Sequence, residues 1–290
     1  MPPQQPVPTL RLRRLAAELR SLRAAAGLTR EDVTQRTGIN EATLYRIESG
    51  RARPQVRTLM ALLSLYEVAE PAHSELMALS RQSSEQNWLQ SFPSGLPGPY
   101  TTYITFEGEA RCLLNYESLF IPGLLQTEPY ARAALQRGLP TATGEEIRRL
   151  VDARMGRQAV LTRQPPLRLW TIIDEAALHR PVGGWNVMNA QLEHLTVAAE
   201  LPQVTLQVLP YDAGGHPGMA GAFAILQFGE PSANDVVYIE SQAADLFLES
   251  QLDVSHFAAI FEHLRAQALP PEASVSFIQR IISELNGGNA

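Results

Sequence analysis

The stretch Leu28–Pro54, LTREDVTQRTGINEATLYRIESGRARP, decides how the chain is read. Thr29 carries the side-chain oxygen of a helix N-cap, and Asp32 stands where a capping box places its reciprocal acceptor. A helix of about eight residues is therefore expected to begin there. Gly38 stops it, because a tight interhelical turn needs a positive φ that glycine adopts without strain. Asn40 then caps a further helix, Glu41–Ser49, which Gly50 closes. With Val33, Ile39, Leu44 and Ile47 facing inward, two short helices joined by so short a turn form the helix-turn-helix pattern.

Upstream, Leu12, Leu15, Leu19 and Leu22 recur at intervals of three and four, which predicts an amphipathic helix from Leu10 to Ala26 stopped by Gly27. Residues 1–9 are rich in Pro and Gln and are expected to be a disordered tail. Downstream, further helices are expected near Gln55–Tyr66 and Ser74–Ser80, completing an all-α five-helix domain over residues 10–82. Residues 83–99 shift to Ser, Gln, Pro and Gly with Trp88 and Phe92 embedded, the composition of a linker partly docked on its neighbour.

The 290 residues, 45% of them apolar, suffice for two ordinary domains. Charged residues and prolines break every apolar run before the roughly 18 residues of a membrane span, and MPPQQPVP lacks the regions of a signal peptide. A cytoplasmic protein that does not enter a membrane is expected. The lone Cys112 cannot form an intramolecular disulfide and reads as packing. Residues 1–84 hold 12 Arg against 8 Asp and Glu, a balance of +4, and the remainder holds 12 against 22, a balance of −10. That split suggests a nucleic-acid-facing arm joined to a body of another kind.

In the body, Leu167–Ile173, Val204–Leu209, Ala222–Phe228 and Val236–Glu240 read as strands. Pro129–Arg137, Glu145–Leu161, Val187–Glu200, Val254–Ala266 and Glu272–Leu285 read as helices. The expectation is a larger α+β domain over residues 100–286.

Two resemblances accompany these patterns. IESGRARP and the turn TGI make residues 11–79 resemble the lambda-repressor/Cro-like (XRE) helix-turn-helix family, with Thr34 and Thr37 standing where Ala and an apolar residue are usual. FEGEA, PGLLQTEPYAR, ARMGRQAVLTR, DEAALHRPVGG, VLPYDAGGHPGMAGAF and VVYIES resemble the DUF5753 domain of actinobacterial regulators, including the WhiJ-like ones. The second resemblance implies a small DUF397-type protein as a partner. The first implies that Arg23 and Glu48 face each other as an internal ion pair tying the recognition helix to its support.

A recognition helix presents its N-terminal residues and one further turn to base edges in the major groove. Here those are Asn40, Glu41, Ala42, Thr43 and Arg46. Arg46 suits a bidentate pair with guanine, Glu41 can accept from cytosine, and Ala42 or Thr43 can touch a thymine methyl. Thr29, Arg30, Arg51 and Arg53 stand where phosphates are contacted. One such domain neutralises few phosphates, so a homodimer on a pseudo-palindromic duplex with half-sites about 34 Å apart is expected.

The body offers less chemistry. Its histidines show no H-x-x-x-H spacing, and no G-x-S-x-G, P-loop or dinucleotide fingerprint is present. Neither a metal, a cofactor nor a catalytic residue is expected. The loop Asp212–Met219, with Asp212 and His216, and the segment Pro122–Thr127, with Pro122, Leu124, Leu125 and Gln126, are candidates for a partner or ligand site. They also read as a plain turn and as the start of a helix. The sequence points to a transcriptional regulator whose C-terminal domain dimerises and receives a partner protein or signal. The rival readings are a small-molecule-sensing one-component regulator and an antitoxin-like autorepressor.

Overall fold

A computed structural model of the chain describes residues 10–82, 96–229, 235–241 and 245–287. The expected tail over residues 1–9 and most of the 83–99 linker, with Trp88 and Phe92, lie outside the described residues. The chain forms two compact units, Met1–Ser91 with Pro97–Phe106, and Phe92–Leu96 with Glu107–Ala290.

The first unit is the expected run of five helices: α1 (Leu10–Ala25), α2 (Arg30–Thr37), α3 (Glu41–Glu48), α4 (Val56–Leu65) and α5 (Ala72–Gln82). Leu15 and Leu19 of α1 pack with Val33, Leu44, Ile47, Leu59, Leu62 and Leu63 in one buried cluster. Gly38 turns the chain between α2 and α3 at φ 73°. Thr34 and Thr37 are accommodated because their hydroxyls donate back to the Arg30 and Val33 carbonyls, at 3.0 and 2.6 Å. The Thr37 hydroxyl also accepts from the Ile39 amide at 3.2 Å, so it closes the helix end as well as filling space.

The sequence of α6 (Gly98–Glu109), GPYTTYITFEGE, opens on Gly-Pro and is rich in β-branched and aromatic residues, so local propensity gives no helix signal. Its Thr101, Thr102 and Thr105 hydroxyls donate to carbonyls four residues back, which satisfies them within the helix.

The second unit is built on a six-stranded mixed sheet in the order β3-β2-β1-β4-β5-β6. The strands are β1 (Cys112–Glu117), β2 (Arg168–Asp174), β3 (Val204–Leu209), β4 (Phe223–Gln227), β5 (Val236–Ile239) and β6 (Leu246–Leu248). β1, β2 and β3 run parallel, and β4, β5 and β6 alternate in direction beyond β1. The helices are α7 (Glu128–Gly138), α8 (Gly144–Arg157), α9 (Glu175–His179), α10 (Trp185–Ala198), α11 (Gln251–Gln267) and α12 (Pro271–Gly287). Alternate strand residues Tyr116, Ile172, Phe223, Ile225 and Val237 meet Val254, Phe261 and Leu264 of α11 on one face. Residues of opposite parity, Leu113, Leu169 and Ile173, are buried too, as expected of strands covered on both faces. The free edge of β3 is closed by α12: Val208 N donates to Ser274 Oγ at 2.9 Å and Val208 O accepts from Leu269 N at 2.9 Å.

Candidate nucleic-acid interface

Two helix starts build the polar face of the first unit. At α2, Asp32 N donates to Thr29 Oγ1 at 3.1 Å while Thr29 N donates to Asp32 Oδ2 at 2.8 Å, a complete capping box. Hydrogen bonds from the Thr29 hydroxyl and amide hold the Asp32 carboxyl below its ordinary range. At α3, Asn40 Oδ1 accepts from Ala42 N at 2.9 Å, so the asparagine orders the end of the helix. Asn40, Glu41, Ala42 and Arg46 are exposed and Thr43 is half-buried, while Leu44, Ile47 and Glu48 face inward. The sequence-derived base readers thus share the outer side of one helix.

Glu48 is the best-buried charge among the described residues of this unit, its side chain 0% exposed. Arg23 of α1 donates from Nε to Glu48 Oε1 at 2.6 Å, from Nη2 to Oε2 at 3.3 Å and from Nη1 to the Leu28 carbonyl at 2.7 Å. The hydrogen bond to Glu48 raises the Arg23 pKa above its ordinary value. Arg30, the first residue of α2, adds a second arm: its Nε donates to Glu48 Oε2 at 2.9 Å. The Arg30 guanidinium also lies 5.3 Å from the centre of the Tyr45 ring, and that of Arg51 lies 5.8 Å from it. Tyr45, on α3 and 44% exposed, therefore lies within cation–π reach of two guanidinium groups. Nothing in its spacing marks it in the sequence. Arg53 is exposed, and the chain turns after α3 because the Arg51 and Ala52 amides both donate to the Arg46 carbonyl.

The sites expected in the second unit are placed as follows. Pro122–Thr127 forms a 3-10 turn over Gly123–Leu125 with Leu124 and Leu125 buried, followed by α7. Gln126 donates to the Ile121 carbonyl at 2.7 Å and accepts from Arg154 Nη1 at 3.1 Å, and Gln191 of α10 bonds both the Thr127 amide and the Leu125 carbonyl at 2.7 Å. These are packing bonds that lock the turn between helices. Asp212 and His216 share a loop, but the imidazole turns to a different acid: His216 Nε2 lies 3.4 Å from Asp174 Oδ2, the last residue of β2. Tyr116 donates its hydroxyl to the same oxygen at 3.2 Å. Burial beside Asp174 pushes the Tyr116 phenol well above its ordinary range. Asp212 is exposed. Cys112, at the start of β1, is partly exposed and its thiol is pushed up by burial.

Two further acids, Glu107 buried and Glu117 half-buried, are not among the candidates expected from the sequence. Glu107 pairs with Arg157 through two bonds of 2.7 Å. Glu117, at the carboxyl end of the central strand, is pushed up to about 7 by desolvation, opposed by Asn115, Arg154 and Arg157 and reinforced by Glu240. Among the described residues no group of three His, Cys, Asp or Glu side chains could hold a metal ion, and no helix is long and apolar enough to cross a membrane.

Residues 14–76 match a family described as a helix-turn-helix domain, and residues 100–280 match one described as a domain of unknown function, DUF5753. No curated protein and no solved structure matches the chain.

Proposed function

The chain belongs to the DUF5753 family, and from that premise we propose that it is a cytoplasmic, sequence-specific DNA-binding transcriptional regulator working as a homodimer. The helix-turn-helix domain at residues 14–76 supports a DNA-binding regulator. The observation that carries the finer reading is the outer side of α3, where Glu41, Ala42 and Arg46 are exposed around a helix start capped by Asn40. Side chains at the first turn and one turn on are those that reach base edges when a helix enters the major groove by its N-terminus. Arg46 is assigned to guanine, Glu41 to cytosine, and Ala42 and Thr43 to thymine methyls, with Asn40 at the groove edge. Thr29, Arg51 and Arg53 are assigned to phosphates.

The second unit dimerises the protein and receives a signal, for which a small DUF397-type protein is the proposed partner. Among the described residues no feature favours a small-molecule effector or an antitoxin role over that one. The test is selection of duplexes from a randomised pool by the full chain. The expected product is a pseudo-palindrome whose half-sites lie about one helical turn apart. Recovery of unrelated duplexes with no shared motif would refute the reading.

A further inference from the structure

Arg30 stands at the first position of α2, where a basic side chain reads as a phosphate ligand. Its contacts point elsewhere. Nε is committed to Glu48 Oε2 at 2.9 Å, and the guanidinium lies 5.3 Å from the Tyr45 ring centre. Both partners belong to α3, three positions apart, one on its buried side and one on its exposed side. Val33, Leu44 and Ile47 share one buried cluster, which holds the inner side of α3 against α2. A planar cation bonded to a carboxylate and laid against a ring has direction.

Glu48 gains a second grip from Arg23 of α1, which is itself fixed to the Leu28 carbonyl just before α2. Tyr66, whose phenol is pushed up to about 12 by burial, also lies in the electrostatic reach of Glu48. Arg23 and Arg30 share the wall of one open concavity with Thr29, Glu31 and Glu41, so the two arms converge from α1 and α2 on the foot of the reading helix.

We infer that Arg30 is a positioning residue: it sets the rotation of α3, and through it which side chains face the bases, instead of serving as a phosphate ligand. The inference rests on the reading of α3 as the helix that enters the groove. It implies that Arg30 and Arg51 differ in role although both flank Tyr45.

The test uses the full chain with Arg30→Met, Arg30→Lys and, for comparison, Arg51→Met. Three quantities are measured: affinity for the selected duplex and for an unrelated one, its dependence on salt, and amide hydrogen exchange of Glu41–Glu48 without DNA. A positioning role predicts that Arg30→Met and Arg30→Lys each lose about tenfold on the selected duplex and little on the unrelated one. The salt slope stays at its parent value and α3 exchanges faster in both variants. Arg51→Met instead weakens both duplexes alike and lowers the salt slope by about 0.9. The inference is overturned if Arg30→Lys binds like the parent while Arg30→Met behaves like Arg51→Met, because a lysine serves a phosphate but not the fork and ring. It is equally overturned if α3 exchange is unchanged, or if exchange rises with no loss of preference for the selected duplex. Should the parent show no preference for any duplex, the proposed function fails. The exchange of α3 then decides on its own whether Arg30 braces that helix.

Discussion

Glu48 sits where α1 and α2 meet its own helix α3. Its carboxylate is removed from water and met by guanidinium groups from two other helices. A buried charge of this kind is costly to uncouple, because deletion of one partner leaves the others poorly compensated. Glu48→Ala is expected to destabilise the N-terminal unit by about 3 kcal/mol, seen as a lower urea midpoint for its amide signals. A midpoint equal to the parent's would show that the pair contributes nothing to stability. The Arg23–Glu48 arm could be anticipated from the family pattern, whereas the Arg30 arm could not. It depends on two residues 18 apart being brought together by a turn, and on a tyrosine no motif marks. The same holds for His216, whose acid is Asp174 on β2 and not its loop neighbour Asp212. Loop residues close in sequence share a backbone but not a direction, and β2 supplies the nearest carboxylate.

At the scale of elements, the five N-terminal helices were readable because caps, glycines and leucine spacing agree with one another. The α+β character of the second unit was readable from its alternating strands and amphipathic helices. Its central strand was not. β1, CLLNYE, has adjacent leucines and an internal Asn in place of clean alternation, yet it lies between β2 and β4 with both faces covered. α6 shows the complementary case, in which composition favours extended chain and tertiary packing overrides it. β1 also carries the acid Glu117, whose folded pKa of about 7 lies above its ordinary 4.5. A raised carboxyl favours the fold fully below the lower value and loses that contribution as pH rises through the upper one. Glu117→Gln should therefore gain stability relative to the parent as pH rises from about 5 to 8, reaching roughly 2 kcal/mol. Urea unfolding at several pH values would reveal this, and a constant difference across the range would contradict the assignment.

At the scale of the molecule, charge separates along the chain: +4 over residues 1–84 and −10 over residues 85–290. A modestly basic helix-turn-helix domain releases few counterions, and we propose that its hold on DNA depends on being presented twice. In this proposal control of binding falls to the second unit, which pairs two copies and answers to a partner. The most direct test of the central claim is the affinity of Arg46→Ala for the selected duplex and for its single-base variants. A loss of about 1–3 kcal/mol is expected on the parent site, with discrimination relaxed at one base pair in each half-site and retained elsewhere. An Arg46→Ala protein that keeps full affinity and discrimination at every position would contradict it.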